Sequence, residues 1–241
     1  MGRPKRIPVI VAAGRGCRMG GDTKKQYLVL DKIPVLTRTI MVFDHHDAMD
    51  DIIVVVPEND QAFCRKNIIQ PYAFSRKIHV VAGGQTRQSS VVNGLNRAAR
   101  LCDAAPGSLV LIHDGVRPFV GPDLINRLVD IAARKEGCIP ALGVNDTLKL
   151  VDGNRQVQKT LDRNRIFRAQ TPQVFRLDLI RRAYEFAAKT QFSGTDDASV
   201  MEHANFPVFT TPGKNENIKL TTPDDLSLAR CIMEQVSIIR R

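Results

Sequence analysis

Apolar residues along this chain fall into short β-branched runs that alternate with longer amphipathic stretches. The strand-like runs cover residues 9–12, 52–56, 78–81 and 109–113. The helix-like stretches cover residues 35–45, 60–69, 88–100 and 123–135. Alternation of this kind predicts an α/β fold, in which a mostly parallel sheet is flanked by helices on both faces.

The pattern changes between residues 143 and 168. Alternating apolar and polar residues at 147–151 and 156–161 flank the turn Asp152-Gly153-Asn154, which predicts a β-hairpin. A two-stranded hairpin has too little core to be stable alone. We therefore expect this inserted β-arm to pack on a second subunit.

The last third of the chain predicts further helices and a strand. The helices are expected at residues 177–190, after Asp197 and from Pro223, and the strand at residues 207–211. A length of 241 residues is enough to bury a sizeable core and suits a single α/β unit. We predict one domain over residues 1–241, with the β-arm at about 143–168.

Composition and signals point to a soluble protein. Hydrophobic residues make up 43% of the chain and charged residues 25%, as in ordinary globular proteins, and no apolar run has the length of a membrane span. The basic N-terminus lacks the pattern of an export signal, and five scattered cysteines fit neither a disulfide framework nor a zinc site. We predict a cytoplasmic location and no membrane contact.

The formal net charge of +10 favours a polyanionic partner, which can be nucleic acid or a phosphorylated metabolite. The chain has no tryptophan and three tyrosines, and it carries no helix-turn-helix, zinc-finger or RNA-recognition pattern. We predict that nucleic acid is not a partner, and a basic nucleic-acid-binding module stays the alternative of another class.

A glycine loop follows the first predicted strand. It contains Gly14 and Gly16 and is followed by the cations Arg18 and Lys25. Glycines let backbone N–H groups approach phosphate oxygens closely, and the cations offset the phosphate charge. The residues of a Walker loop and the glycine spacing of a dinucleotide site are both absent. The sequence therefore predicts a triphosphate-binding loop, with a plain strand-to-helix turn as the alternative.

Two more polar motifs follow predicted strands, where ligands of parallel sheets gather. Gly83 and Gly84 precede Arg87 and Ser90 at the start of a predicted helix, where free N–H groups and hydroxyls can contact a base or ribose. Asp114 follows a buried strand and is a candidate Mg²⁺ ligand, because Mg²⁺ in nucleotide sites takes one or two carboxylates plus phosphate oxygens. A turn or helix cap is the alternative role for this aspartate.

These motifs together resemble a known family. The similarity is carried by Ala12-Ala13-Gly14-x-Gly16-x-Arg18-Met19 with Lys25-Gln26, His113-Asp114-Gly115-Val116-Arg117-Pro118, Asp146-Thr147, Asp162-Arg163, Gln170-Thr171-Pro172-Gln173, Thr195-Asp196-Asp197-Ala198-Ser199 and Asn217-Ile218-Lys219. In this order, and over nearly the whole chain, they resemble the 2-C-methyl-D-erythritol 4-phosphate cytidylyltransferases. Several motifs in one order make accidental agreement improbable.

The resemblance implies a Rossmann-like nucleotidyltransferase fold and a homodimer that exchanges its β-arms. It implies that CTP and methylerythritol phosphate are joined to the CDP-alcohol with release of pyrophosphate, in the non-mevalonate isoprenoid pathway, with Mg²⁺ as cofactor. An acceptor phosphate oxygen is already ionised near neutral pH, so this reaction requires no serine, cysteine or histidine nucleophile.

The resemblance also implies a role for each matching residue. The catalytic cations are Arg18, Lys25 and Lys219. The nucleotide-binding residues are Ala12, Ala13, Gly14, Gly16, Gly83, Gly84, Arg87, Ser90 and Asp114, of which Asp114 also binds the metal. The acceptor-binding residues are Arg117, Thr147, Arg163 and Thr171, with Thr147 and Arg163 reaching over from the partner's arm.

One position departs from the family pattern. Proline usually precedes the catalytic lysine, whereas here Lys24 precedes Lys25, which leaves open the stiffness of the loop and which ammonium reaches phosphate. We choose Lys25 because Gln26 follows it. A ribitol 5-phosphate cytidylyltransferase, which resembles this family and differs chiefly in its acceptor, is the alternative enzyme, and the segment around Arg163 favours methylerythritol phosphate.

Overall fold

The structure, a computed structural model, describes residues 2–14, 24–102 and 105–239, with the side chains of 236–239 left aside. The strands are β1 (Arg6–Val11), β2 (Val29–Leu30), β3 (Ile33–Pro34), β4 (Ile52–Val56), β5 (Ile78–Ala82), β6 (Leu109–Asp114), β7 (Gly137–Gly143), β8 (Lys149–Val151), β9 (Val157–Thr160), β10 (Phe167–Ala169), β11 (Gln173–Arg176) and β12 (Phe209–Pro212). The helices are α1 (Val35–Asp44), α2 (Gln61–Phe63), α3 (Arg87–Cys102), α4 (Pro122–Lys135), α5 (Leu177–Lys189), α6 (Asp197–His203) and α7 (Pro223–Ile239).

The main sheet is built around β1. Strands β4 and β6 pair with β1 on either side, β5 pairs with β4, and all of these pairings are parallel. Beyond β6, the antiparallel β11 leads to β7, and β10 pairs antiparallel with the far end of β7. Strand β12 runs parallel along the other edge of β7. The predicted mostly parallel sheet flanked by helices is therefore confirmed, with an antiparallel insertion at one side.

Each face of the sheet is buried by helices, because successive strand residues point to opposite sides. On one face, Ile10 and Leu111 lie in an apolar cluster with residues of α1 and α4, such as Leu36 and Leu124. On the other face, Val9 lies in a cluster with residues of α3 and α5. These strands are covered on both faces, which explains their continuous β-branched runs.

Gly94 sets the position of α3 on the sheet. A Cβ atom at this residue would lie 2.4 Å from Cγ1 of Val9 in β1, so a larger side chain would push the helix away. The close approach holds the first residue of α3, Arg87, near the end of β1. The N-terminus of α3 is thereby directed toward the crevice described below.

The arm hairpin forms as predicted. Strands β8 and β9 pair antiparallel, with a register shift at Leu150/Val151, and they are exposed along their length. The predicted helices at 177–190, after Asp197 and from Pro223 correspond to α5, α6 and α7. In the part of the chain that the structure describes, no helix is both long and apolar enough to cross a bilayer.

Several elements differ from the sequence predictions. The helix expected at 60–69 is α2 continued by a π-helical segment over Cys64–Ile69. The pattern did not predict β7, whose sequence GCIPALG contains glycine and proline, residues that are depleted in strands. It also missed β10 and β11, which are short and are separated by the cis peptide bond Thr171–Pro172, and the minimal hairpin of β2 and β3.

Candidate functional site

A cavity of about 590 Å³ lies beyond the carboxyl ends of β1, β5 and β6. Parallel sheets bind ligands at this edge. Ten of the residues predicted for nucleotide binding or catalysis line it: Ala12, Ala13, Gly14, Lys25, Gly83, Gly84, Arg87, Ser90, Asp114 and Lys219. Two further predicted residues, Gly16 and Arg18, lie outside the described residues.

Asp114 is the centre of charge in this crevice. Its Oδ2 atom lies 2.9 Å from Nζ of Lys219 and 3.4 Å from Nε of Arg117. Its Oδ1 atom lies 3.9 Å from Nε of Arg87. The sheet delivers the carboxylate to this point, because Asp114 is the last residue of β6 and is paired with Val11 at the end of β1.

The cations around Asp114 keep its carboxyl group ionised. Burial alone would raise the pKa of Asp114, but the charges of Lys219, Arg87 and Arg117, together with a hydrogen bond from Lys219, lower it to about 2. Asp114 is therefore a carboxylate at neutral pH. Its carboxylate oxygens lie beside cationic side chains, and its role in ligand binding stays a prediction.

Arg87 is held by a carboxylate to which the sequence analysis assigned no role. Nη1 and Nη2 of Arg87 donate to the two oxygens of Asp197, at 3.2 and 2.6 Å, and Tyr184 donates to the same carboxylate. Burial would lower the pKa of Arg87, but Asp197 raises it. The Thr195-Asp196-Asp197 motif was the sequence signal for this carboxylate. Its pairing with Arg87 could not be predicted from a local pattern, because the two residues are 110 positions apart.

A chain of hydrogen bonds through Thr171 and His113 holds the backbone of Asp114 in place. The N–H of Asp114 donates to Oγ1 of Thr171, at 3.1 Å. This hydroxyl lies 3.0 Å from Nδ1 of His113, whose Nε2 lies 2.9 Å from the carbonyl oxygen of Arg117. A carbonyl only accepts, so Nε2 carries the proton and the Thr171 hydroxyl donates to Nδ1. Burial lowers the pKa of His113 to about 4, so the imidazole is neutral at physiological pH and serves as a structural hydrogen-bonding group.

The loop after β5 approaches the glycine loop closely. A Cβ atom at Gly83 would lie 2.4 Å from Cβ of Ala13, so glycine is required for the two loops to meet. Oγ of Ser90 accepts from the N–H of Gly84 at 3.0 Å and donates to the carbonyl oxygen of Thr86 at 2.8 Å. The wall of the cavity is thus held together by short-range hydrogen bonds.

Lys24 and Lys25 both line the cavity. Nζ of Lys24 lies 2.6 Å from Oδ2 of Asp60. Residue 24 has φ −62° and ψ 136°, a conformation that proline can also adopt. Lysine at this position therefore keeps a backbone conformation that is compatible with the family's usual proline.

The predicted acceptor residues fall into two groups. Arg117 contacts Asp114 and also donates from Nη1 to the carbonyl oxygen of Asn217, at 2.7 Å, and Thr171 lies in the hydrogen-bond chain below Asp114. Thr147 and Arg163 lie on the exposed arm, where Nη1 of Arg163 donates to the carbonyl oxygen of Asn145 at 2.6 Å. None of the four predicted acceptor residues is among those that line the cavity of this chain.

The arm exposes apolar side chains that have no cover within the described part of the chain. The exposed fractions are 51% for Leu150, 47% for Val151, 55% for Val157 and 55% for Phe167. Contiguous apolar side chains of this kind mark interaction surfaces. The expectation that the arm packs on another surface is consistent with this exposure.

Two carboxylate residues, Glu58 and Asp114, are among the residues that line the cavity, and Asp114 is the one that the sequence predicts as a metal ligand. Within residues 2–14, 24–102 and 105–239, no group of three or more His, Cys, Asp or Glu side chains forms a metal cage. Mg²⁺ in nucleotide sites uses one or two carboxylates together with substrate phosphates and water. An ionised Asp114 in this cavity fits that chemistry.

The chain is similar to proteins of one family along almost its full length. A model described as 2-C-methyl-D-erythritol 4-phosphate cytidylyltransferase matches residues 7–235. Proteins with this name from Syntrophus aciditrophicus and Syntrophotalea carbinolica are 41% and 45% identical to it, over 97% and 94% of this chain and 97% and 95% of theirs.

Solved structures give the same result and confirm the Rossmann-like nucleotidyltransferase fold. The 4-diphosphocytidyl-2C-methyl-D-erythritol synthase of Anaerococcus prevotii superposes with a TM-score of 0.82 at 30% identity, over 96% of both chains. The 2-C-methyl-D-erythritol 4-phosphate cytidylyltransferase of Francisella tularensis superposes with a TM-score of 0.79 at 32% identity, over 95% of this chain and 99% of that one.

Proposed function

Because the chain belongs to the 2-C-methyl-D-erythritol 4-phosphate cytidylyltransferase family, we propose that the crevice around Asp114 is where CTP and methylerythritol phosphate react. The chain is a nucleotidyltransferase that joins these substrates into 4-diphosphocytidyl-2-C-methyl-D-erythritol and pyrophosphate, in isoprenoid biosynthesis. Neither of the alternatives, a ribitol 5-phosphate cytidylyltransferase and a nucleic-acid-binding module, is favoured by the names of the relatives.

One observation carries the proposed site. Lys25, Lys219 and Arg87 line the same cavity as the glycines at 83 and 84, so positive charge and close backbone approach occur together. A nucleoside triphosphate needs both, because its phosphates are anionic and its base and ribose require a fitted wall. The cavity volume of about 590 Å³ lies within the range of small-molecule sites.

The reaction transfers a cytidylyl group between oxygens. An oxygen of the acceptor phosphate forms a bond to the α-phosphorus of CTP, the bond from that phosphorus to the bridging oxygen breaks, and pyrophosphate leaves with the electron pair. The attacking oxygen is already ionised, so the chain supplies no general base. The barrier consists of bringing two anions together and stabilising the charge at the α-phosphorus, which positioned cations do.

Each cation has a place in this scheme. Lys25 and Lys219 face the phosphates from two sides of the cavity, and Arg18, which lies outside the described residues, is assigned to the same task by the family motif. Arg87 lines the nucleotide wall and is held rigidly by Asp197. Such preorganised donors need little rearrangement during the reaction, which is the source of their effect.

Asp114 would hold a Mg²⁺ ion together with substrate phosphate oxygens, and the ion would supply charge neutralisation at the phosphates. The family is generally metal-dependent, and the choice of Mg²⁺ follows from the hard oxygen donors. Lys219, with Arg87 and Arg117, keeps Asp114 ionised, and a divalent ion would have to replace or share these cationic contacts.

The acceptor site extends over two chains in this proposal. Arg117 and Thr171 lie beside Asp114, whereas Thr147 and Arg163 lie on the exposed arm. A homodimer in which each arm reaches the partner's crevice would bring all four residues to one methylerythritol phosphate. The uncovered apolar side chains of the arm support this arrangement.

Detection of the product by mass spectrometry tests the function. The purified protein is incubated with CTP, Mg²⁺ and methylerythritol phosphate, and we expect CDP-methylerythritol and an equal amount of pyrophosphate. Omission of either substrate should abolish both products, and ribitol 5-phosphate is the matched acceptor control. Product formation with ribitol 5-phosphate in preference to methylerythritol phosphate would contradict the assigned acceptor.

A further inference from the structure

The residues on both sides of Lys25 are anchored by their side chains. Nζ of Lys24 donates to both oxygens of Asp60, at 2.8 and 2.6 Å, and the hydroxyl of Tyr27 donates to Oδ2 at 3.0 Å. On the other side of the segment, Nε2 of Gln26 donates to the carbonyl oxygens of Ala12 and Gly14, at 3.0 and 3.3 Å. The segment after the glycine loop is thus tied both to the start of that loop and to the connection after β4.

Asp60 is a firm anchor for these contacts. Its side chain is 16% exposed, and it ends the turn Glu58–Asp60 that follows β4, a strand buried along its whole length. The ring of Tyr27 packs on that of Phe63, with centroids 4.9 Å apart. Burial, and then the neighbouring Asp60, raise the pKa of Tyr27, so its phenol keeps the proton that it donates.

The ammonium group of Lys24 is therefore bound by a side chain of the protein, Asp60. Charge-assisted hydrogen bonds to both oxygens of one carboxylate are among the strong ones, and the ion pair cancels the charge of Lys24 although this residue lines the cavity wall. Gln26 is buried and points back to the first strand. Lys25, which also lines the cavity, lies between these two anchored neighbours.

We propose that Lys24 is a positioning residue, whose ion pair with Asp60 ties this segment to the connection after β4 and directs the adjacent Lys25 at the triphosphate. This inference rests on the proposed function, because it assigns phosphate contact to Lys25. It separates the roles of two consecutive lysines that the sequence left open. The pair acts through the backbone, and neither member touches the reacting atoms.

A pair of single variants and their combination test this role. Lys24→Ala and Asp60→Asn each remove the ion pair, and each should lower kcat/KM for CTP by roughly ten- to a hundredfold, since small misplacements of catalytic groups cost this much. The double variant should be no worse than either single one, because the same interaction is lost only once. Lys66→Ala, which removes an exposed lysine from the π-helical segment, is the charge-matched control and should leave kcat/KM unchanged.

Asp60→Asn distinguishes positioning from direct phosphate binding. If Lys24 bound phosphate itself, releasing it from Asp60 would preserve or tighten CTP binding, while Lys24→Ala would weaken it. Opposite effects of the two single variants, or a Lys24→Ala variant within twofold of the parent, would overturn the proposal. Thermal melting of every variant distinguishes unfolding from misplacement of Lys25. Tyr27→Phe, which removes the hydrogen bond to Asp60 but retains the ring, should also lower kcat/KM.

Calorimetric titration with CTP separates this inference from the function on which it rests. If the unaltered protein binds CTP and the variants bind and convert it equally well, the positioning role alone is refuted. If the unaltered protein did not bind CTP, the proposed function and this inference would both fall. Weaker binding and slower turnover in both single variants is the result that we expect.

Discussion

At the scale of single residues, the chemistry depends on where a few ammonium and guanidinium groups are held. Lys219, Arg87 and Arg117 lie within 4 Å of the Asp114 carboxylate oxygens. Arg87 also forms an ion pair with Asp197. Lys25, which also lines the cavity, is assigned to the phosphates of CTP. Substitution of Lys25 should therefore affect turnover before it affects folding, whereas loss of Arg87 would leave the buried Asp197 carboxylate unpaired and destabilise the fold.

Lys25→Ala should retain the fold and lose most of its turnover. Removal of one preorganised donor to a transition state lowers kcat by about a hundredfold or more. Steady-state kinetics and thermal melting of the purified variant measure the two effects. Lys189→Ala removes an exposed lysine at the end of α5 and serves as the control. A kcat for Lys25→Ala near that of the parent would show that this lysine has no catalytic role.

His113 should make the folded state sensitive to mild acid. Burial lowers its pKa from 6.5 to about 4, so the unfolded chain binds a proton that the folded chain excludes. Its contribution to stability is complete above pH 6.5 and is lost as the pH falls toward 4, amounting to roughly 3 kcal/mol. Urea unfolding at several pH values measures this slope.

His113→Gln is the matched variant for that measurement, because it cannot titrate in the window. Its stability should change less between pH 7 and pH 4 than that of the parent, whatever its absolute value. Asp114 does not interfere, since its pKa of about 2 places its own loss of stability at lower pH. Parallel pH profiles for the parent and His113→Gln would contradict the assignment.

Site residues could be recognised from sequence only where the motif was local. Gly83, Gly84 and Ser90 lie within eight positions, and Asp114 directly follows a buried strand, so their types and spacing were informative. The pairing of Arg87 with Asp197 and of Lys24 with Asp60 joins residues 110 and 36 positions apart. Such contacts depend on how the sheet brings separate loops together, which no local pattern contains.

At the scale of elements, the sequence predicted what has a strong periodic signal. Strand β4, IIVVV, is buried on both faces and was predicted with its observed bounds. Strand β11 has four residues, pairs antiparallel between β6 and β7, and follows a polar Gln-Thr-Pro sequence. Its position is set by tertiary pairing, so periodicity missed it.

The arm hairpin should act on the acceptor and not on the nucleotide. Arg163 lies at the end of this element, and the proposed dimer places it beside methylerythritol phosphate. Arg163→Ala should raise the KM for the sugar phosphate by about tenfold or more, as expected for loss of a charge-assisted contact, with little change for CTP. Arg155→Ala, at the exposed turn of the hairpin, is the control. Equal losses for both substrates would count against the assignment.

At the scale of the whole molecule, we expect the arm to pack on a partner surface. Leu150, Val151 and Val157 are about half exposed, and a hairpin of this size does not bury enough area to stabilise itself. We expect sedimentation to show a dimer. Val157→Glu, which places a charge on this apolar surface, should favour the monomer and raise the KM for methylerythritol phosphate. A monomeric parent protein with full activity would exclude the exchanged-arm arrangement.

The contact between Lys219 and Asp114 has a consequence for the order of events in the crevice. Each group is the other's ionic partner while the substrates are away. A nucleotide phosphate that paired with the ammonium would free the carboxylate for a divalent ion, and a divalent ion held by the carboxylate would free the ammonium for the nucleotide. By thermodynamic linkage, each should tighten the other's binding by the same factor, so that neither is held firmly until both have arrived.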